Sequence, residues 1–339
     1  MKIAILKIGM NFLWNNPKDV VGGIGEAKAI IELLSETNKI NIYSKIEKEE
    51  NPIVNVSIKN INMFKNEEDI LLIFNGFPGF DKNIIDIHEK QNNIINNFNG
   101  KVFYIFIDPE LGLRNIEGIN IKRKDLKIIT SIFSRSIVKN KINENGNFIE
   151  NIDNIYHFSF EKYPMLFEQL PYNKFPIYDL IYMGSFRKGK RLEKLKKYYS
   201  CVNNTHFFGR INKDNLKEHF DIMPIFHGAV KYEEIKYYIN NSLCHVVIGD
   251  EFYEGNIFTP RIYECINYST VCFIDIDMDP FRTLFKNDFN YVINKFDLIS
   301  KMSYLKNNPS FRLQIINEQR KNINFKKHIY RKKLEDLLC

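Results

Sequence analysis

The chain reads as an α/β protein made of two doubly wound, Rossmann-like domains. Three observations predict this. Short apolar runs of strand length alternate with longer amphipathic or charged stretches of helix length along the 339 residues. The alternation pauses between Tyr163 and Pro176, where Pro164, Pro171 and Pro176 fall close together without a sustained period, and restarts at Tyr178. Apolar residues make up 44% of the chain and aromatics 14%, enough to fill two cores.

In the first half, the apolar runs at 2–8, 40–43, 70–74, 101–107, 126–130 and 155–158 predict strands, and the periodic stretches 26–36, 84–98 and 135–141 predict helices. In the second half, runs at 178–183, 205–208, 246–248 and 271–274 predict strands with helices between them. Residues 310–339 have a helical pattern rich in Lys and Arg. The domain bounds expected are 1–168, 177–320 and a C-terminal helix, 321–339.

Composition narrows the function classes. The net charge of +7 favours a polyanionic partner. Five cysteines, at 201, 244, 265, 272 and 339, include no CxxC pair and read as reduced thiols, which fits a cytoplasmic setting. The start has no secretory pattern, and no apolar run approaches the roughly 20 residues a bilayer demands, so no membrane association is expected. The histidines are scattered without metal-ligand spacing, and no metal site is expected.

Two strand–loop–helix junctions carry the chemistry. The first is Leu180-Ile-Tyr-Met-Gly184-Ser185-Phe-Arg187-Lys-Gly189-Lys-Arg191. Backbone N–H groups, a hydroxyl and two arginines there sit beside a helix N-terminus, which suits a diphosphate. A basic, solvated first helical turn reads the same segment equally well. The second junction is His245-Val-Val-Ile248-Gly249-Asp250, then Tyr253, Asn256, Thr259, Pro260, Arg261 and Glu264. Pro260 suits helix position N1, with Thr259 as N-cap. Arg261 then falls in the first turn and Glu264 three residues on, on the same face. Three arginines for a diphosphate and one glutamate for both hydroxyls of a ribose describe a nucleotide-sugar site.

These residues carry a family resemblance. Gly184-Ser185-Phe-Arg187-x-Gly189-x-Arg191, Phe207-Phe208-Gly209, and Ile248-Gly249-Asp250 with Tyr253, Asn256, Arg261 and Glu264 resemble the DNA β-glucosyltransferases of T-even bacteriophages. A looser match runs from Met1-Lys-Ile-Ala-Ile through Gly25-Glu26 to Tyr104-x-Phe106-x-Asp108. The resemblance implies the GT-B plan, two Rossmann-like domains facing a central cleft. It implies inverting transfer of glucose or a related sugar from a UDP-sugar to a hydroxylated pyrimidine, such as 5-hydroxymethylcytosine, in double-stranded phage DNA. The target base would leave the stack to react.

The resemblance also assigns roles. Ser185, Arg187, Arg191 and Arg261 would hold the diphosphate, and Glu264 the ribose. Asp250 and Tyr253 would lie near the glucose and phosphates, and Phe208, Gly209 and Val230 would line the uracil pocket. Asp108, at the end of an apolar strand, would be the catalytic base, although Pro109-Glu110 departs from the family's pattern. Glu26 would lie near sugar and acceptor. The C-terminal helix would pack back on the first domain, and the enzyme would act as a monomer in the host cytoplasm. A loosely held Mg2+ on the diphosphate is compatible with this set, since such an ion uses few protein ligands.

Basic runs at Lys122-Arg123-Lys124, at Arg135 with Lys139 and Lys141, and at Lys326-Lys327 with Arg331-Lys332-Lys333 suit either a phosphate-tracking surface or plain solvated faces. Trp14 suits base stacking or loop packing. Two rival readings remain at this stage: a GT-B enzyme that glycosylates a surface polymer or small molecule, and a catalytically inactive DNA-binding protein on the same scaffold.

Overall fold

A computed structural model describes residues 1–8, 24–44, 53–75, 84–106, 122–144, 154–184, 189–209, 220–249 and 253–339. The chain divides into two compact units, Met1–Tyr163 with Lys327–Cys339, and Pro164–Lys326.

Unit 1 is built on seven strands: β1 (Lys2–Ile8), β2 (Lys39–Ser44), β3 (Val56–Asn60), β4 (Ile70–Asn75), β5 (Lys101–Phe106), β6 (Lys127–Thr130) and β7 (Ile155–His157). Every pairing is parallel and the order is β3-β2-β1-β4-β5-β6-β7. Continuous apolar runs such as Ile3-Ala-Ile-Leu6 are buried on both faces, as a helix-covered parallel sheet requires. Helices α1 (Ile24–Ser35), α2 (Ile84–Asn97) and α3 (Arg135–Glu144) connect the strands. The last helix of the chain, Lys327–Leu338, returns to this unit. Lys327 and Arg331 pair with Glu36, and Tyr330 Oη donates to the Ser159 carbonyl at 2.9 Å.

Unit 2 has six strands: β8 (Tyr178–Met183), β9 (Thr205–Phe208), β10 (Ile225–Gly228), β11 (Ser242–Val247), β12 (Val271–Asp275) and β13 (Tyr291–Val292). They too are parallel, in the order β10-β9-β8-β11-β12-β13. Its helices are α4 (Lys190–Tyr199), α5 (Tyr232–Asn240), α6 (Pro260–Asn267), α7 (Lys295–Asn307) and α8 (Pro309–Ile323), so that the chain's last helix is α9. The period of two is plain in the core. Leu180 and Tyr182 enter one apolar cluster with α4 and α7, while Ile181 and Met183 enter another with α5 and α6.

The structure corrects the sequence reading at five elements. The edge strands β3, β10 and β13 were not expected. Val56-Ser-Ile-Lys-Asn60 carries only two apolar residues, and β10 is mostly exposed. The strand expected at 246–248 begins at Ser242. The helical pattern 310–339 is two helices, broken at Asn324, whose φ of 42° ends α8 in a left-handed turn.

Candidate functional site

In unit 2 the strand order reverses between β8 and β11, which pair directly. In open parallel sheets, ligands bind outside the carboxyl ends of strands at such a reversal. Each strand around this point ends in a glycine: Gly184 after β8, Gly209 after β9, Gly228 closing β10, and Gly249 after β11. Two of them hold the edge closed. Gly209 N–H donates to the Gly228 carbonyl at 2.7 Å, and Gly184 N–H to the Phe208 carbonyl at 3.0 Å. At Gly209 the φ is +138°, and a Cβ would lie 2.1 Å from the Gly184 carbonyl oxygen. Only glycine fits there.

Helix α6 aims its first turn at this edge. Pro260 stands at N1 and extended Thr259 at the N-cap, as the sequence predicts. The Thr259 side chain does not make the expected capping bond; its hydroxyl oxygen is buried without a hydrogen-bond partner. The Arg261 guanidinium contacts Met183 Sδ at 3.6 Å, which brings it to the end of β8, and it forms an ion pair with Glu264 one turn on. Glu264 is only 4% exposed. Burial raises its pKa, against the opposing pull of Arg261. Beneath them, His245 of β11 is held neutral: burial, with the Arg261 charge, pushes its pKa well down.

The aromatic side of the edge centres on buried Phe208. His227 stacks on it at 4.4 Å and 9°, and Tyr238 packs at 4.4 Å. Val230 and Tyr253 pack against the same apolar cluster. The His227 tautomer follows from its neighbours. Asn204 Nδ2 donates to the Ile177 carbonyl at 3.0 Å, turning its oxygen toward His206 Nε2 at 2.7 Å. His206 Nδ1 must then accept from His227 Nε2, 2.7 Å away. Burial lowers both histidine pKa values, with the charge of His227 adding to the shift at His206.

The structure thus groups Arg261, Glu264, Phe208, Gly209, Val230 and Tyr253 at one sheet edge. Arg191 is the second residue of α4 and partly buried. Ser185, Arg187, Asp250, Asp108 and Trp14 lie outside the described residues. Glu26 is in the first turn of α1, with its side chain outside the description. His227 escaped the sequence reading, although His227-Gly228 repeats the strand-end glycine signal of Phe208-Gly209.

A second cluster was also missed. Glu254, Asp275 and Asp277 bring carboxylate oxygens within 4.8 Å of one another. Lys194 pairs with all three, and Lys190 and Lys197 add two further contacts. Lysines therefore already match these carboxylates, and the group does not fit a metal ion.

In unit 1, Arg123 is not available to a polyanion. It is 13% exposed, paired with Asp125, and donates to the carbonyls of Phe98 and Gly100. Lys327 and Arg331 are engaged with Glu36. Lys122, Lys124, Arg135, Lys332 and Lys333 are exposed. No helix among the described residues is long and apolar enough to cross a membrane.

Two helix-covered parallel sheets of reversing strand order fit the GT-B fold. No family model matches the chain. The DNA β-glucosyltransferase of Enterobacteria phage T4 is 24% identical to it over 354 aligned positions, which take in 96% of this chain and 95% of that protein. A T4 phage β-glucosyltransferase structure in complex with UDP and Mn2+ superposes with a TM-score of 0.81, at 23% identity, over 100% of this chain and 99% of that one. An α-glucosyltransferase in complex with UDP gives 0.61 at 11% identity, over 100% and 99%.

Proposed function

We propose that the protein transfers glucose, or a related sugar, from a UDP-sugar to a hydroxylated pyrimidine in DNA. The observation that carries this reading is the unit 2 edge. A glycine-lined strand reversal, a guanidinium at its rim and a buried carboxylate beside it match the three parts of a nucleoside diphosphate. The similarity to the T4 enzyme along almost the full length supports the choice of acceptor.

Transfer with inversion needs positive charge on the departing diphosphate and a base for the acceptor hydroxyl. Arg261 and Arg191 supply the charge, with Arg187 and Ser185 completing the set. Glu264 accepts the two ribose hydroxyls. Phe208, Gly209 and Val230 form the wall against the uracil. Asp250 and Tyr253 lie toward the sugar. Asp108 takes the acceptor proton as the hydroxyl oxygen attacks the anomeric carbon, and UDP leaves with the electrons of the broken bond. Glu26 stands near sugar and acceptor. A divalent ion would ride on the diphosphate oxygens, where it would add positive charge. Extrusion of the target base costs a few kcal/mol, offset by pocket and backbone contacts.

The test is mass spectrometry of nucleosides after incubation with UDP-glucose and duplex DNA containing 5-hydroxymethylcytosine. A hexose added to the modified nucleoside is expected. UDP-glucose hydrolysis without DNA transfer would point to a different acceptor, such as a surface polymer. UDP binding absent altogether would leave a DNA-binding protein on the same scaffold.

A further inference from the structure

The lysine–carboxylate cluster of unit 2 has no part in the chemistry above, yet it joins the two segments that carry the arginines. Glu254 forks between two residues one turn apart on α4: Lys190 at 2.9 Å on one oxygen and Lys194 at 2.5 Å on the other. Lys190 is the immediate neighbour of Arg191. Glu254 is the immediate neighbour of Tyr253, and the chain from there runs through Gly255 to Arg261. The Gly255 N–H donates to the Met278 carbonyl at 3.3 Å, fastening the same turn to the turn that follows β12.

Lys194 is the hub. Its side chain is 7% exposed and reaches Glu254, the fully buried Asp275 and Asp277. Tyr198, one turn further along α4, donates to Asp275 at 2.6 Å, with the Val292 carbonyl 3.0 Å from the same hydroxyl. Burial opposes the Lys194 charge, but bonds from Asp275 and Glu254 outweigh it and hold its pKa above the usual lysine value. Three lysines face three carboxylates, so the cluster balances its own charge and needs no ligand.

We propose that Lys194 and Glu254 are positioning residues for the donor site. Through Glu254 they lock the 253–256 turn to α4, and so fix the spacing between Arg191 and Arg261 on the diphosphate. The inference rests on the donor-site reading above. Two guanidinium forks on different helices grip one diphosphate only when their spacing is set beforehand. Uridine lacks the phosphates and uses only the Glu264 and Phe208 side, so it does not sense that spacing.

The test compares UDP and uridine on the intact chain. In Glu254→Gln the buried Lys194–Asp275 pair remains. Its UDP affinity should fall about tenfold or more, as expected when charged bonds lose their alignment, with uridine affinity changed less than about twofold. Lys194→Met should show the same split. If Lys194→Met does not fold, Glu254→Gln decides alone. Equal loss for UDP and uridine, or no loss for either, would overturn the positioning role. A wild-type chain that binds neither ligand would instead strike down the donor site itself.

Discussion

Unit 2 holds two charged assemblies at one sheet edge, and they are built on opposite principles. Around Lys194, burial is overcome: the carboxylates outweigh desolvation and favour the charged form. At Glu264, burial wins: the one-turn pair with Arg261 does not offset it, and the carboxyl pKa stays raised. The first assembly is complete without a ligand. The second keeps a buried carboxylate that still gains from further hydrogen-bond donors, which the ribose hydroxyls of the proposed donor would supply. A matched cluster belongs to the scaffold, while an undermatched one marks where a ligand binds.

The largest expected effect separates both assemblies from turnover. On the proposed mechanism Asp108→Asn keeps the shape and removes the base, so transfer should slow by about 10²–10⁴-fold while UDP affinity stays put. Steady-state kinetics beside UDP calorimetry check this, and a near wild-type rate would shift the base role to Glu26.

Next comes the edge that carries the undermatched pair. Gly209→Ala places a Cβ against the Gly184 carbonyl at a strained φ, a cost of about 1–3 kcal/mol before any clash. Thermal melting should drop by several degrees, and UDP binding should weaken with it. An unchanged melt would mean the edge opens freely.

The Glu264 carboxyl provides a smaller effect with two opposite signs. Its folded pKa lies above the ordinary 4.5, so its contribution to folding is fully present below the unfolded value and is lost as pH rises through the folded one. UDP affinity should run the other way and fall with acidification through the same window, because only the carboxylate accepts both ribose hydroxyls. Glu264→Gln should flatten both profiles. Melts and UDP titrations carried from neutral pH to below the ordinary 4.5 decide the matter.

The smallest effect sharpens the contrast inside the matched cluster. Lys190 is 43% exposed, so its pair with Glu254 is solvent-screened and Lys190→Ala should cost at most about 1 kcal/mol. A thermal-shift comparison with Glu254→Gln should rank it well below that variant.

How much of this the sequence reveals depends on range. The central strands are legible because both faces are buried, leaving runs such as Leu180-Ile-Tyr-Met183 unbroken. Edge strands β3 and β10 are not, since solvent on one side dilutes the apolar signal. Arg261 and Glu264 can be paired from sequence because three residues on a helix share a face. Lys194 and Asp275 cannot, because they meet only through the fold, 81 positions apart. His227 joins Phe208 by strand adjacency, a register that sequence does not specify.

The central claim is that the unit 2 edge grips a nucleoside diphosphate through Arg191 and Arg261. Calorimetric titration of UDP into the wild type, Arg191→Ala and Arg261→Ala tests it most directly. Each variant should remain folded and lose about 1.5–3 kcal/mol of binding, roughly a tenfold to hundredfold weakening, because charge-assisted bonds to phosphate are removed. Equal UDP affinity in all three folded proteins would contradict it.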